Sequence, residues 1–122
     1  MGVFFLLTLS PSKADIFDDV TRILQAGNIE ALSPYLSPKF ELELPDGTFH
    51  SRDLESTKIA LQRFIKQNPP KSAAIIHRGP AGQRSFVIVH YRSSNGSLFR
   101  ITIYMEGAGE NKVIREMKLE NS

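Results

Sequence analysis

The chain has 122 residues, of which 41% are hydrophobic and 23% charged. These proportions fit one folded domain with a single core and leave out disordered, collagen-like and coiled-coil classes. Fifteen Lys and Arg stand against 13 Asp and Glu, a net charge of +2 without a dense basic run, which is no electrostatic footprint for nucleic acid; the lack of cysteine excludes disulfides, thiolate metal sites and thiol nucleophiles.

The N-terminus opens on an apolar run, Val3-Phe4-Phe5-Leu6-Leu7-Thr8-Leu9, followed by Ser10-Pro11-Ser12-Lys13-Ala14. Ser12 and Ala14 have the spacing of a signal-peptidase site, whereas only Met1-Gly2 precedes the run and an export signal needs a cationic start. The run is far too short to span a bilayer. Two readings stay open: the tail of a secretory signal whose basic start lies upstream of Met1, or an apolar arm docked on the fold. The first is preferred, because a helix pattern begins cleanly after Ala14, and it implies an extracytoplasmic (periplasmic or secreted) protein. The expected division is 1–14 for this segment and 15–122 for the folded domain.

Asp15 to Ala26 reads as a helix, with Ile16, Phe17, Val20, Ile23 and Leu24 on one stripe. Asp15, Asp18 and Asp19 suit the positive end of its dipole. Gly27 stops it, and Asn28 can cap a short second helix over Ile29 to Leu36. Pro38 to Leu44 begins a strand, Pro45-Asp46-Gly47 turns the chain, and Thr48-Phe49-His50 returns. Ser51 is the expected N-cap of a long helix from Arg52 to Gln67, whose buried stripe is Leu54, Thr57, Leu61, Phe64 and Ile65. Asn68-Pro69-Pro70 ends it. Four strands follow as a meander: Ala73 to Arg78, Arg84 to Arg92, Leu98 to Glu106 and Lys112 to Glu120.

Asn95-Gly96 is a strong hairpin signal. Taken as a two-residue turn, it pairs Ser94 with Ser97. One face then carries Phe86, Ile88, His90 and Arg92 opposite Met105, Ile103, Ile101 and Phe99, and this face is expected to meet the helices. Parity adds Val113, Arg115, Met117 and Leu119, provided no bulge intervenes. The outer face then carries Val87, Val89, Tyr91, Tyr104 and Ile114, a mixed apolar patch of the kind that mediates a homodimer contact or simply faces water.

His90, Arg92 and Arg115, with His77 in addition, would break an otherwise apolar inner surface. They are the candidate ligand-binding residues of a pocket between sheet and helices, set against structural pairing or plain exposure, since a buried cation needs a partner. Acid-base catalysis would want a carboxylate in an apolar pocket facing a Tyr or a protonated acid, and the inner strand positions offer none. His50, His77 and His90 are scattered, so no metal site is expected. Gly79-Pro80-Ala81-Gly82 joins two strands and opens no helix, so it is no phosphate loop. No cofactor, catalytic residue or nucleic-acid partner is assigned.

Ala14-Asp15-Ile16-Phe17-Asp18-Asp19-Val20, then Ala26-Gly27-Asn28 with Leu32 and Tyr35, resembles the start of the DUF4783 family. Asn68-Pro69-Pro70-Lys71-Ser72, Ser94-Asn95-Gly96 and Ile114-Arg115-Glu116-Met117-Lys118-Leu119 are similar to it too, so the resemblance covers nearly all of residues 14–120. It implies an α+β, NTF2-like (cystatin-like) cone, with N-terminal helices packed on a curved antiparallel sheet, in an uncharacterised exported protein. No reaction and no functional residue come with it. The superfamily holds enzymes such as ketosteroid isomerase beside binding modules, so fold alone does not settle chemistry. Three functions are therefore expected in order: non-catalytic binding of a small ligand, a homodimeric scaffold, and an acid-base enzyme of isomerase type.

Overall fold

The computed structural model describes residues 16–108 and 111–122. The segment 1–14 and the helix start at Asp15 lie outside the described residues. Helix α1 spans Ile16–Ala26 and buries Phe17, Val20 and Leu24 along one stripe, as their spacing requires. Thr21 joins that stripe by donating its hydroxyl to the Phe17 carbonyl at 2.8 Å. A 3₁₀ segment, Ile29–Tyr35, follows. It stays short and tight because Pro34 removes a backbone donor. Asn28 occupies its N-cap position without a side-chain cap bond.

Strand β1 is Leu36–Glu43 and β2 is Phe49–His50. Helix α2 runs Leu54–Gln67, two residues later than the sequence suggests. Asp53, not Ser51, is the cap: its carboxylate accepts the Ser56 N–H at 2.8 Å, and its carbonyl takes the first helical bond, from Thr57. Strands β3 (Pro70–Ala81), β4 (Arg84–Ser93), β5 (Leu98–Glu106) and β6 (Val113–Asn121) complete the chain. β3 is twice the expected strand, because it pairs with β4 along its whole length and bulges between Ile75 and His77.

The six strands form one curved sheet in the order β2-β1-β6-β5-β4-β3. The sheet is mixed: β1 runs parallel to β6, and every other pair is antiparallel. Hairpins dictate direction only between consecutive strands. β1 and β6 are separated by α2 and the meander, so nothing local forces them to oppose.

The face of β4 is the reverse of the expectation, while Met105, Ile103, Ile101 and Phe99 of β5 point inward as expected. Ser93, not Ser94, pairs across the turn with Ser97, its N–H donating to the Ser97 carbonyl at 2.9 Å, and Gly96 N–H returns to the Ser93 carbonyl at 3.1 Å. The loop therefore has three residues, with Gly96 at φ +96° and no positive φ at any described non-glycine residue. A two-residue type I′ turn would need positive φ at Asn95 as well. The Leu44-to-Thr48 turn repeats this pattern of bonds, with Gly47 in the place of Gly96. With β5 facing inward as expected, one extra loop residue moves every β4 side chain to the other side of the sheet.

Val87, Val89 and Tyr91 thus lie opposite Ile103, Ile101 and Phe99, and all six are buried against the helices. Phe86, Ile88, His90 and Arg92 lie opposite Tyr104, Thr102, Arg100 and Leu98 on the outer face. The expected outer patch is corrected accordingly: Val87, Val89, Tyr91 and Ile114 are core, and Tyr104 alone of that set is outside. β6 carries a second bulge, at Arg115, because Tyr104 pairs with Glu116 while Met105 pairs with Ile114. Met117 and Leu119 keep their expected inward place; Ile114 exchanges with Val113.

Candidate functional site

Of the four residues proposed from sequence, His90, Arg92 and Arg115 sit away from the helices, and His77 lies on edge strand β3 beside α1. His77 stacks on Phe86 at 5.6 Å between ring centres. His90 lies opposite Ala74 on one side and Arg100 on the other, and Arg92 is exposed opposite Ser72 and Leu98. Arg115, at the β6 bulge, donates to the Lys39 carbonyl at 2.6 Å and lies 3.6 Å from Glu41 and 3.3 Å from Glu106. Its charge is neutralised in place, closing the gap where β1 bulges between Leu36 and Glu41. His90, Arg92 and Arg115 therefore do not line a cavity between sheet and helices, whereas the exposed His77 borders an open groove of about 700 Å³ between α1 and β3, together with Asp18, Thr21, Arg22 and Gln25.

The space under the sheet is filled. Leu24, Leu32, Phe40, Leu42, Leu61 and Tyr91 are all buried there. An open cleft of about 530 Å³ lies at the end of the sheet, between α2 and the β1–β2 hairpin. That volume suits a small molecule. Its apolar lining is Leu44, Pro45, Ala60, Phe64 and Phe99, and its polar lining includes His50, Arg63, Gln67 and Asn68.

Each part has a local cause. The α2 periodicity that buries Leu61 also turns Phe64 down onto the sheet, where it meets Phe99 edge-on at 4.9 Å and 75°. Asn68 caps α2 with its N–H to the Ile65 and Phe64 carbonyls. The Tyr91 hydroxyl donates to the Asn68 carbonyl at 2.5 Å, and burial pushes that phenol up to about 12. Asp46 holds the hairpin turn, accepting the Thr48 N–H at 2.9 Å and the Thr48 hydroxyl at 2.7 Å. Those two bonds, the backbone one first, keep its carboxyl below the usual aspartate range. His50 lies opposite the buried Leu42, so it faces the α2 side.

A second, more open groove of about 660 Å³ lies on the far flank of α2, between that helix, the end of α1 and the 3₁₀ segment. Its floor is Ile29 and Ile65, and its wall is Pro69-Pro70. Gly27 lets α1 end there: a Cβ on it would stand 3.2 Å from the Pro70 ring. Lys58, buried on α2, fixes the 3₁₀ segment beside the groove through Glu30 at 3.3 Å and the Ser33 hydroxyl at 2.9 Å, and pairs with Glu55 of its own helix at 3.2 Å. The Glu55 and Glu30 carboxylates raise the Lys58 pKa against its burial.

Sequence reasoning passed over His50, Arg63, Phe99 and Asn68 as a set. A usable signal existed on α2: Arg63 and Lys66 have no acidic residue at three or four positions on either side, so neither forms the helix-surface pair that accounts for most such cations.

A comparison with curated proteins finds no match. Among solved structures, the chain is similar to a DUF4783 family protein from Bacteroides uniformis, at 18% identity and TM-score 0.78, covering 88% of this chain and 98% of that one. A DUF4783 family protein from Bacteroides ovatus gives 23% identity and TM-score 0.75, covering 84% and 92%. An NTF2-like protein from Cytophaga hutchinsonii gives 12% identity and TM-score 0.64, covering 87% and 92%. At these identities the likeness speaks for the NTF2-like fold alone. The family described as "Domain of unknown function (DUF4783)" matches residues 17–120, and with that span nearly the whole domain is accounted for: the chain belongs to the DUF4783 family.

Proposed function

We propose that the domain is a non-catalytic binding module that takes a small, largely apolar ligand in the cleft between α2 and the β1–β2 hairpin. The observation that carries this reading is the Phe64–Phe99 edge-on pair forming the floor of an open, mostly apolar cleft. Aromatic floors with a few polar groups at the rim are how small-molecule sites combine affinity with orientation. Asp46 is the one carboxylate lining the cleft among the described residues, and it is engaged with Thr48, which favours binding over acid-base chemistry. The test is titration with the amphipathic fluorophore anilinonaphthalene sulfonate. Saturable enhancement at one site, lost in Ala60→Leu with the fold intact by circular dichroism, is the expected result. Enhancement that is absent, or untouched by Ala60→Leu, rejects the reading.

A second reading, a homodimer through the outer sheet face, is supported by Phe86, Ile88 and Tyr104, which are only half-buried there, with Phe86 and Tyr104 at 6.3 Å. Sedimentation as a single copy at high concentration removes it. Export is supported by the Val3–Leu9 run with Ser12 and Ala14 after it. Mass spectrometry of the protein recovered from its host, showing residues 1–14 retained, would oppose export through a cleaved signal.

A further inference from the structure

The groove on the far flank of α2 has a chemistry of its own. Ile59 projects into it with 47% of its surface exposed, one of three large hydrophobic residues so exposed among those described. Beneath it, Ile29 and Ile65 are core residues, so the apolar surface is continuous from solvent to interior. Along the rim stand two cations, Arg63 and Lys66, one α-helical turn apart. Neither has an acidic partner among the described residues. The acid on the opposite wall, Glu30, is engaged: one oxygen takes the Lys58 ammonium at 3.3 Å and the Gln62 amide at 3.4 Å, and the other takes the Ser33 hydroxyl at 3.3 Å. The rim is therefore cationic around an apolar floor, with the free Asn28 side-chain amide at its end.

We propose that this groove is a docking site for a peptide segment of a partner protein in which apolar side chains are flanked by carboxylates. The groove is open along its length, which exposes a compact small molecule to solvent and suits an elongated segment. Apolar anchors cover Ile59 and reach the Ile29–Ile65 floor, removing an exposed apolar surface from water. Carboxylates on the segment meet Arg63 and Lys66, which fixes register and speeds encounter more than it adds affinity. A basic or nucleic-acid partner does not combine these features: the first meets like charge, and the second has no apolar anchor for Ile59.

Arg63 borders both the groove and the cleft, whereas Ile59 and Lys66 line the groove and not the cleft, so variants at those two separate this inference from the cleft reading. It is tested by selecting a random displayed peptide library on the folded, full-length protein. The expected consensus carries at least two acidic residues beside apolar ones. Binding of a selected peptide should fall about tenfold in Ile59→Asp and in Lys66→Glu, and should weaken as salt is added. Arg92→Glu, which reverses an exposed cation on the outer sheet face, should leave it unchanged. A selection that yields no binder, a basic or neutral consensus, binding that survives both groove variants, or equal loss in Arg92→Glu would each overturn the proposal.

Discussion

The hydroxyl of Tyr91 donates to the carbonyl of Asn68 at 2.5 Å, joining a core strand to the residue that caps α2. Tyr91→Phe keeps the ring and leaves that carbonyl without its donor. We expect a loss of about 1–3 kcal/mol in urea unfolding, with the slope of the transition unchanged.

The same residue sets an alkaline limit. Burial holds its phenol at about 12 in the folded state, while an unfolded tyrosine loses its proton near about pH 10. Between those values the unfolded chain binds fewer protons, so stability falls as pH rises. The contribution is fully present below the unfolded value. Tyr91→Phe should flatten this part of the stability–pH curve, and an unchanged slope would contradict it.

Adjacent residues on β4 should respond very unequally to one substitution. Val89→Asp places an unpaired carboxylate in the core and should cost about 3–5 kcal/mol, enough to abolish the unfolding transition in most small domains. Ile88→Asp changes the outer face and should cost about 1 kcal/mol or less. Thermal unfolding of the two variants compares them directly, and the reverse ranking would restore the two-residue turn.

Asp53 is the start signal of α2 and also an acid-sensitive group. The Ser56 backbone N–H, then the Ser56 hydroxyl, hold its carboxyl below the usual aspartate range. Its contribution is present above the unfolded value and lost as pH falls through the folded one. Asp53→Ala should lower the thermal midpoint at neutral pH and reduce helical circular dichroism. Asp53→Asn should keep most of the cap and lose the acid dependence.

Arg115→Met should cost about 1–2 kcal/mol, because it removes a charged donor from the Lys39 carbonyl at a partly buried bulge. Arg115→Lys should recover only part of it, since an ammonium cannot reproduce a fork reaching Lys39, Glu41 and Glu106 together. Chemical denaturation of the pair measures the difference.

Much of the architecture was legible in the residue pattern. The Phe17, Val20, Leu24 stripe and the Thr57, Leu61, Phe64, Ile65 stripe announce two helices, and the meander strands stand out by their β-branched runs. What could not be read locally was the register. Asn95-Gly96 satisfies turn chemistry equally as a whole two-residue loop or as the last two residues of a three-residue one. The burial rule would have decided between them: only the second leaves His90, Arg92 and Arg100 outside and puts Val87, Val89 and Tyr91 within. The Arg115 bulge has no such signature, because its cause is a carbonyl contributed by distant Lys39. The cleft was hidden for the same reason, since Leu44, Phe64 and Phe99 converge only once the strand order is known.

The parallel pairing of β1 with β6 has a consequence for how the chain reaches this state. Leu36 finds its neighbour only when Ile114 has been made, so during synthesis the early hairpin has no sheet to join until the chain is almost finished. The four-strand meander can zip up first from short loops, whereas closing the long circuit back to the first strand comes late and slowly. Losing the final strand would therefore strand the β1–β2 hairpin at the opposite end of the polypeptide, together with one wall of the cleft.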